Sequence, residues 1–359
     1  MDLKGDQVPV VFAMNGATAM ARGIEAWVDA HWLPGFRLAE KEERRRHDRE
    51  SYIRSKINVR GRKVYLIDSF ATDPDEAVDE KVWGTILFVS SLKDASCADV
   101  TLIGTMFPYM RQDQKDQPRA AINTATFVRQ MWAAGVQRLI TIDVHNPAAV
   151  QNAAAALKMN FDHLEARCPL TRAVADELPA GARYVVLTPD LGATKRTKAF
   201  QGTLQKVLAK RFGREVRVGF AHANKTRLGD TESQITTIIE EPAEPIAGAL
   251  VIVPDDILAT GSTLAEIEKA IHERGGTMFA ACVTHGLFTG RAAETLARVP
   301  RIFVTNTVSP WRVEGTAVRE RVRSVDVADM FALAIRETHL NGSINSLLTS
   351  LEENAARAG

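Results

Sequence analysis

Residues 249–264 read ALVIVPDDILATGSTL. Leu250, Val251, Ile252 and Val253 make a short unbroken apolar run ending at Pro254, the pattern of a strand buried on both faces of a parallel sheet. Two acids follow, Asp255 and Asp256, then the small residues Ala259-Thr260-Gly261-Ser262-Thr263, then an amphipathic pattern over 264–272 that predicts a helix. A strand, an acidic pair, a turn of Gly, Ser and Thr and a helix aim backbone N–H groups and hydroxyls at one point. A helix N-terminus adds about half a positive charge there, so the point suits a phosphate. The acids then face sugar hydroxyls or a metal ion beside them. An ordinary strand-to-helix turn capped by Ser262 or Thr263 explains the cap. It leaves unexplained two adjacent carboxylates at the carboxyl end of a buried strand, where α/β sheets bind ligands.

The rest of the composition narrows the setting. The 359 residues are 45% hydrophobic and 25% charged, which fits a globular chain of two domains. Charges nearly cancel, 45 basic against 44 acidic, so no global field invites nucleic acid. Cys97, Cys168 and Cys282 form no CxxC pair, which predicts a reducing, cytoplasmic setting rather than a disulfide framework. The start, MDLKGDQVPV, has no signal-peptide pattern. No apolar run approaches membrane-spanning length.

Strand and helix patterns alternate along the whole chain. Strands are predicted at 8–13, 64–67, 100–106, 138–142, 184–187, 216–220, 278–283 and 301–304, and helices from Thr18, over 80–91, 123–134 and 201–212, and near the C-terminus. Such alternation predicts two α/β domains with mainly parallel sheets. Residues 138–145 (RLITIDVH) faintly echo 250–257 (LVIVPDDI), which suggests a duplicated domain. The run 41–50, KEERRRHDRE, reads as a solvated face. Residues 222–234, HANKTRLGDTESQ, read as a mobile polar loop.

Chemistry-bearing residues gather at predicted strand ends: Asp143 and His145, Asp190, and Asp255 with Asp256. A carboxylate two residues before His145 suits metal ligation through oxygen and imidazole. Lys225 and Arg227 stand in the polar stretch. Neither GxxxxGK[ST] nor GxGxxG occurs, so P-loop and dinucleotide sites are not supported.

The stretch 249–264 resembles the phosphoribosyl-diphosphate (PRPP) loop shared by phosphoribosyltransferases and PRPP synthetases. Further segments, in order, resemble the ribose-phosphate pyrophosphokinase (PRPP synthetase) family. Val59-Arg60-Gly61-Arg62-Lys63-Val64 is similar to its VRGKDV, and Pro108-Tyr109-Met110-Arg111-Gln112-Asp113-Gln114-Lys115 to its PYxRQDRK. Thr141-Ile142-Asp143-Val144-His145 is similar to TxDLH, and Thr188-Pro189-Asp190-Leu191-Gly192 to SPDxGG. Lys225-Thr226-Arg227 resembles the KRR of its catalytic loop, and Thr284-His285-Gly286-Leu287-Phe288 its THxxF. The end, from Ala334-Ile335-Arg336 to Ser343-Ile344-Asn345-Ser346-Leu347, resembles its closing segment. Ala259, Gln114, Asn146 and Ala193 depart from the family's usual residues.

The resemblance implies two phosphoribosyltransferase-like domains, 1–163 and 164–317, each a mainly parallel sheet flanked by helices, with a C-terminal helix at about 318–350 packed back on the first. It implies transfer of a diphosphoryl group from MgATP to ribose 5-phosphate, with Mg²⁺ as cofactor. Arg111, Gln112 and Asp113 would contact ATP, and Asp48 and Glu50, where the family has FxDGE, would reach a neighbouring subunit's adenine. His145 and Asp190 would bind Mg²⁺, His145 also serving in catalysis with Lys225 and Arg227. Asp255, Asp256, Thr260, Gly261, Ser262 and Thr263 would hold ribose 5-phosphate. Homo-oligomers, built from dimers up to a hexamer, are implied, with no nucleic-acid or membrane partner. The alternatives are a phosphoribosyltransferase, which has no need of the 111–113 segment, and a catalytically impaired regulatory homologue.

Overall fold

The computed structural model describes residues 7–48, 50–228, 232–240, 244–344, 346 and 349, with the backbone alone over 224–228 and 232–240. The chain forms two compact units, Met1–Glu165 with Val327–Leu347, and Ala166–Asp326 with Leu348–Gly359.

The first unit runs β1 (Val10–Ala13), α1 (Thr18–His31), β2 (Lys41–Arg45), β3 (Ser51–Ser55), β4 (Lys63–Asp68), α2 (Val78–Asp94), β5 (Asp99–Gly104), α3 (Asn123–Ala134), β6 (Arg138–Ile142), α4 (Pro147–Ala156) and β7 (Asn160–Leu164). Its main sheet is ordered β1-β4-β5-β6-β7, with every pairing parallel. Central strands such as KVYLID are buried at every position after the first, as a parallel sheet covered on both faces requires.

The second unit runs α5 (Arg167–Glu177), β8 (Tyr184–Thr188), α6 (Thr194–Phe212), β9 (Val218–Leu228), β10 (Glu232–Glu240), β11 (Leu250–Leu258), α7 (Ser262–Glu273), β12 (Thr277–Gly286), α8 (Ala292–Thr295), β13 (Ile302–Thr305) and β14 (Val322–Val325). Its sheet is ordered β10-β9-β8-β11-β12-β13-β14. All pairings are parallel except β9 with β10. Its core joins Val251 and Val253 of β11 to Leu264, Ile267 and Ile271 of α7, and to Val283 and Val304 of the neighbouring strands. The chain then returns to the first unit as α9 (Ala328–His339), which packs on α1. The two helices approach so closely that a Cβ on Gly23 would stand 2.8 Å from the Ala328 methyl.

Three expectations change. The first half of the charge run, Lys41–Arg45, is a strand rather than a plain solvated face: β2 pairs antiparallel with β3, placing Glu42 opposite Arg54 and Arg44 opposite Tyr52. Arg54 Nε donates to Glu42 at 2.8 Å and the Arg44 guanidinium lies 4.8 Å from the Tyr52 ring, so cross-strand pairs hold the charges in register. Residues 222–228 and 232–234 of the polar stretch are also strand, with His222 opposite Ile239 and Arg227 opposite Ser233. Its partner carries the β-branched run Ile235-Thr236-Thr237-Ile238-Ile239, which supplies the strand propensity the polar half lacks. Residues 229–231 lie outside the described residues. The last helix begins at Ala328 rather than near 318, because Val322–Val325 pairs with β13 instead. Among the described residues, no helix is long and apolar enough to cross a membrane.

Candidate functional site

In the second unit β11 continues through both acids to Leu258. It pairs with β8 only over Leu250–Ile252, whereas its pairing with β12 extends to Leu258. The acidic pair therefore lies beyond the stretch where β8 flanks β11. Asp256 is only 3% exposed, and its Oδ2 meets Arg196 Nη1 of α6 at 3.2 Å. The Asp256 N–H donates to Asp255 Oδ1, and the Ile257 N–H to Asp256 Oδ1, both at 2.9 Å. Burial first, then the adjacent Asp256 charge, pushes the Asp255 carboxyl well above the ordinary aspartate value, against the pull of Arg196.

The turn after β11 is tied down from behind. The Leu287 N–H donates to the Leu258 carbonyl at 2.8 Å, and the Thr289 N–H to the Ala259 carbonyl at 3.0 Å. Gly261 has φ +77° and opens α7. A Cβ there would stand 2.6 Å from Leu296 Cδ2, so both the backbone angle and the space call for glycine. Thr260 and Ser262 are exposed with their hydroxyl oxygens 3.2 Å apart. This turn presents hydroxyls and the first amides of a twelve-residue helix, the donors that phosphate recognition uses.

Asp190 stands just past β8. Its Oδ1 accepts the Ala193 N–H at 2.9 Å at the start of α6, and Arg196 follows on the same helix. The helix thus links Asp190 to the acidic pair within one unit. Lys225 and Arg227 lie on β9, opposite Ile235 and Ser233 of β10; their side chains lie outside the described residues.

In the first unit the chain leaves β5 through a tight turn at Tyr109, φ +53°. The Tyr109 carbonyl accepts the Gln112 N–H and the Thr124 hydroxyl, each at 2.8 Å. The Tyr109 hydroxyl donates to Asp79, and burial together with that carboxylate pushes the phenol up to about 12. Arg111 and Gln112 are exposed, and Asn123 donates to the Gln112 side chain. Asn146 Nδ2 donates to Asp113 at 2.7 Å, while its side-chain Oδ1 accepts the Ala149 N–H at the start of α4. Asn146 directly follows His145, so the 111–113 loop and the end of β6 meet in this unit. Asp143 is buried at φ +40°, and the exposed His145 follows it. Asp48 and Glu50 are exposed between β2 and β3, where Asp48 Oδ1 accepts the Glu50 N–H at 3.1 Å.

Beneath the β2–β3 pair lies a polar cavity of about 310 Å³. Two of its cations are paired: Arg45 meets Glu76 at 2.8 Å and Glu80 at 2.6 Å, and the buried Lys81 reaches Asp73 at 2.5 Å and the Ser69 carbonyl at 3.1 Å. The Arg45–Glu80 pair ties β2 to α2. Among the described residues no three His, Cys, Asp or Glu side chains gather as a metal cage. Mg²⁺ often lacks one, being held by one or two carboxylates plus substrate phosphates and water, and the half-buried Asp190, with one oxygen on Ala193, fits that use.

Sequence reasoning misses Arg196, because its partner is sixty positions away and no local spacing links them. It also misses α4 and the role of Asn146, although an Asn followed by Pro147 is a helix-start signal.

The profile for the N-terminal domain of ribose phosphate pyrophosphokinase matches residues 9–135, and that for the phosphoribosyl synthetase-associated domain matches 236–349. A ribose-phosphate pyrophosphokinase of Fusobacterium nucleatum is 28% identical over 316 residues, 87% of this chain and 91% of that protein. One from Mesorhizobium japonicum is 25% identical over 339 residues, 94% of this chain and 99% of that protein. The crystal structure of phosphoribosylpyrophosphate synthetase from Mycobacterium smegmatis shares the fold, with a TM-score of 0.73 at 22% identity, covering 93% of this chain and 99% of that one. With both domain profiles matched in order and relatives aligned nearly end to end, the chain belongs to the ribose-phosphate pyrophosphokinase family.

Proposed function

We propose that the chain transfers the diphosphoryl group of MgATP to the 1-hydroxyl of D-ribose 5-phosphate, giving PRPP and AMP. The observation that carries this reading is the Asp255–Asp256 pair, half-buried and buried in turn, leading into the Gly261 turn at the start of α7. That pairing of carboxylates with phosphate donors suits a phosphorylated sugar. Thr260, Gly261, Ser262 and Thr263 take the 5-phosphate, and Asp255 and Asp256 accept the ribose hydroxyls. Arg111, Gln112 and Asp113 receive ATP, the loop being braced by Asn123 and Asn146.

In the transfer, the ribose 1-oxygen forms a bond to the β-phosphorus, the bond from that phosphorus to the α-phosphate bridging oxygen breaks, and AMP leaves. Such a reaction asks the protein for positioning and charge stabilisation rather than covalent chemistry. Lys225 and Arg227 balance charge on the moving diphosphoryl group. As the family resemblance implies, His145 and Asp190 would each ligate Mg²⁺, with His145 also serving in catalysis. When bound, Mg²⁺ supplies neutralisation of the phosphate oxygens. Asp48 and Glu50 reach the nucleotide of a neighbouring copy in a homo-oligomer.

The test is chromatography of the nucleotides after incubation with MgATP and ribose 5-phosphate. AMP should appear in step with sugar consumption. ADP as the product would mean transfer of a single phosphoryl group, and no nucleotide change would leave a regulatory homologue.

A further inference from the structure

The Asp256 carboxylate is buried beside a second carboxylate, an arrangement costly for a group that must stay ionised and fixed. A nearby guanidinium offsets that cost. Arg196 Nη1 lies 3.2 Å from Asp256 Oδ2, and the opposite oxygen, Oδ1, accepts the Ile257 N–H at 2.9 Å. The carboxylate is therefore gripped at both oxygens. Arg196 is the third residue of α6, directly after the turn in which Asp190 Oδ1 accepts the Ala193 N–H, so one helix start sets both the Asp190 loop and the acidic pair. We propose that Arg196 is a positioning residue that fixes the Asp256 carboxylate, and through it the sugar subsite, in the orientation that accepts the ribose hydroxyls. This inference rests on the ribose 5-phosphate reading above.

Two further facts bear on it. The Asp256 N–H donates to Asp255 Oδ1, so turning one acid disturbs the other. Arg196 also draws down the Asp255 carboxyl, which burial and Asp256 otherwise push up. Removing the cation therefore raises the pH at which the pair can carry its full negative charge.

Ribose 5-phosphate is titrated calorimetrically into wild type, Arg196→Gln, Arg196→Lys, Asp256→Asn and the Arg196→Gln/Asp256→Asn double variant. Steady-state rates are measured across pH on the same proteins. Arg196→Gln should weaken ribose 5-phosphate binding about 10-fold or more, in keeping with loss of a hydrogen bond between charged groups. It should move the acidic limb of kcat/KM for the sugar to higher pH and leave KM for ATP unchanged. Arg196→Lys should restore part of the binding. In the Asp256→Asn background, Arg196→Gln should add little, because both act through one carboxylate. Additive losses would overturn the proposal by showing that Arg196 acts on the substrate directly. Equal loss of ATP and sugar binding, or a change in thermal stability alone, would also overturn it. If wild type binds no ribose 5-phosphate, the sugar reading itself fails, whereas binding by wild type unaltered in Arg196→Gln refutes only the role of Arg196.

Discussion

Two aspartates stand near the ends of parallel strands, Asp68 buried in the first unit and Asp255 half-buried in the second, and their surroundings differ. Asp68, the last residue of β4, is satisfied by its own chain: Thr85 Oγ1 donates at 2.5 Å, the Ser69 N–H at 2.7 Å, and Lys81 lies nearby, bound to Asp73 and the Ser69 carbonyl. Asp255, on β11, instead stands beside the Asp256 carboxylate, whose charge pushes it up while Arg196, paired with Asp256, draws it down. Burial raises both carboxyls, Asp68 to about 7. The difference teaches where function sits. A carboxylate whose partners are all local is part of the scaffold, whereas paired acids beside an anion-binding turn keep acceptor capacity for a ligand.

The comparison can be broken first at the charges assigned to the transferring group. Lys225→Ala should lower kcat and kcat/KM together by about 10²–10³, with KM for either substrate nearly unchanged. The Lys225→Ala/Arg227→Ala pair should lose less than the product of the single losses, since both clamp one group. A rise in KM alone would make Lys225 a ground-state anchor.

A second test falls on the acidic pair. Asp256→Asn should weaken ribose 5-phosphate binding by about 1.5–3 kcal/mol, seen by calorimetry, with ATP binding intact. Equal loss of both would mean that the sugar and nucleotide sites are misassigned. Gly261→Ala should cost about 1–2 kcal/mol in stability from the left-handed angle alone, with more from the Leu296 contact, and should weaken sugar binding too. Thermal melts with and without ribose 5-phosphate separate the two effects.

Asp68→Asn sharpens the other side and should have the smallest effect on turnover. The folded chain keeps the Asp68 proton up to about pH 7, whereas the unfolded chain releases it near 3.8. Raising pH between those values therefore favours unfolding, and the Asp68 contribution to stability falls across that window, then levels off above it. Asp68→Asn should flatten that part of the wild-type profile, measured by denaturant unfolding from pH 4 to 8. An unchanged profile would show that Asp68 does not titrate there.

Much of this is legible in the sequence where the signal is local. The boundaries predicted for 123–134 and 138–142 coincide with α3 and β6, because an apolar period closes at Gly135, which caps the helix at φ +116°. The stretch 250–263 reads as strand, turn and helix for the same reason, though the strand carries on through both acids to Leu258. Legibility fails where the deciding contact is remote. Nothing near 41–50 announces that Glu42 will meet Arg54 across a strand pair. Polar 222–228 becomes strand only because of Ile235–Ile239 opposite it. Arg196 acquires meaning only once the fold carries α6 to β11.

The claim that the paired acids and the Gly261 turn serve diphosphoryl transfer is tested most directly by ³¹P NMR of wild-type protein mixed with MgATP and ribose 5-phosphate. The account predicts a new diphosphate attached at the sugar C1, the 5-phosphate retained, and AMP in equal amount. Formation of a sugar monophosphate with ADP, or consumption of added PRPP with release of diphosphate and no ATP requirement, would contradict it.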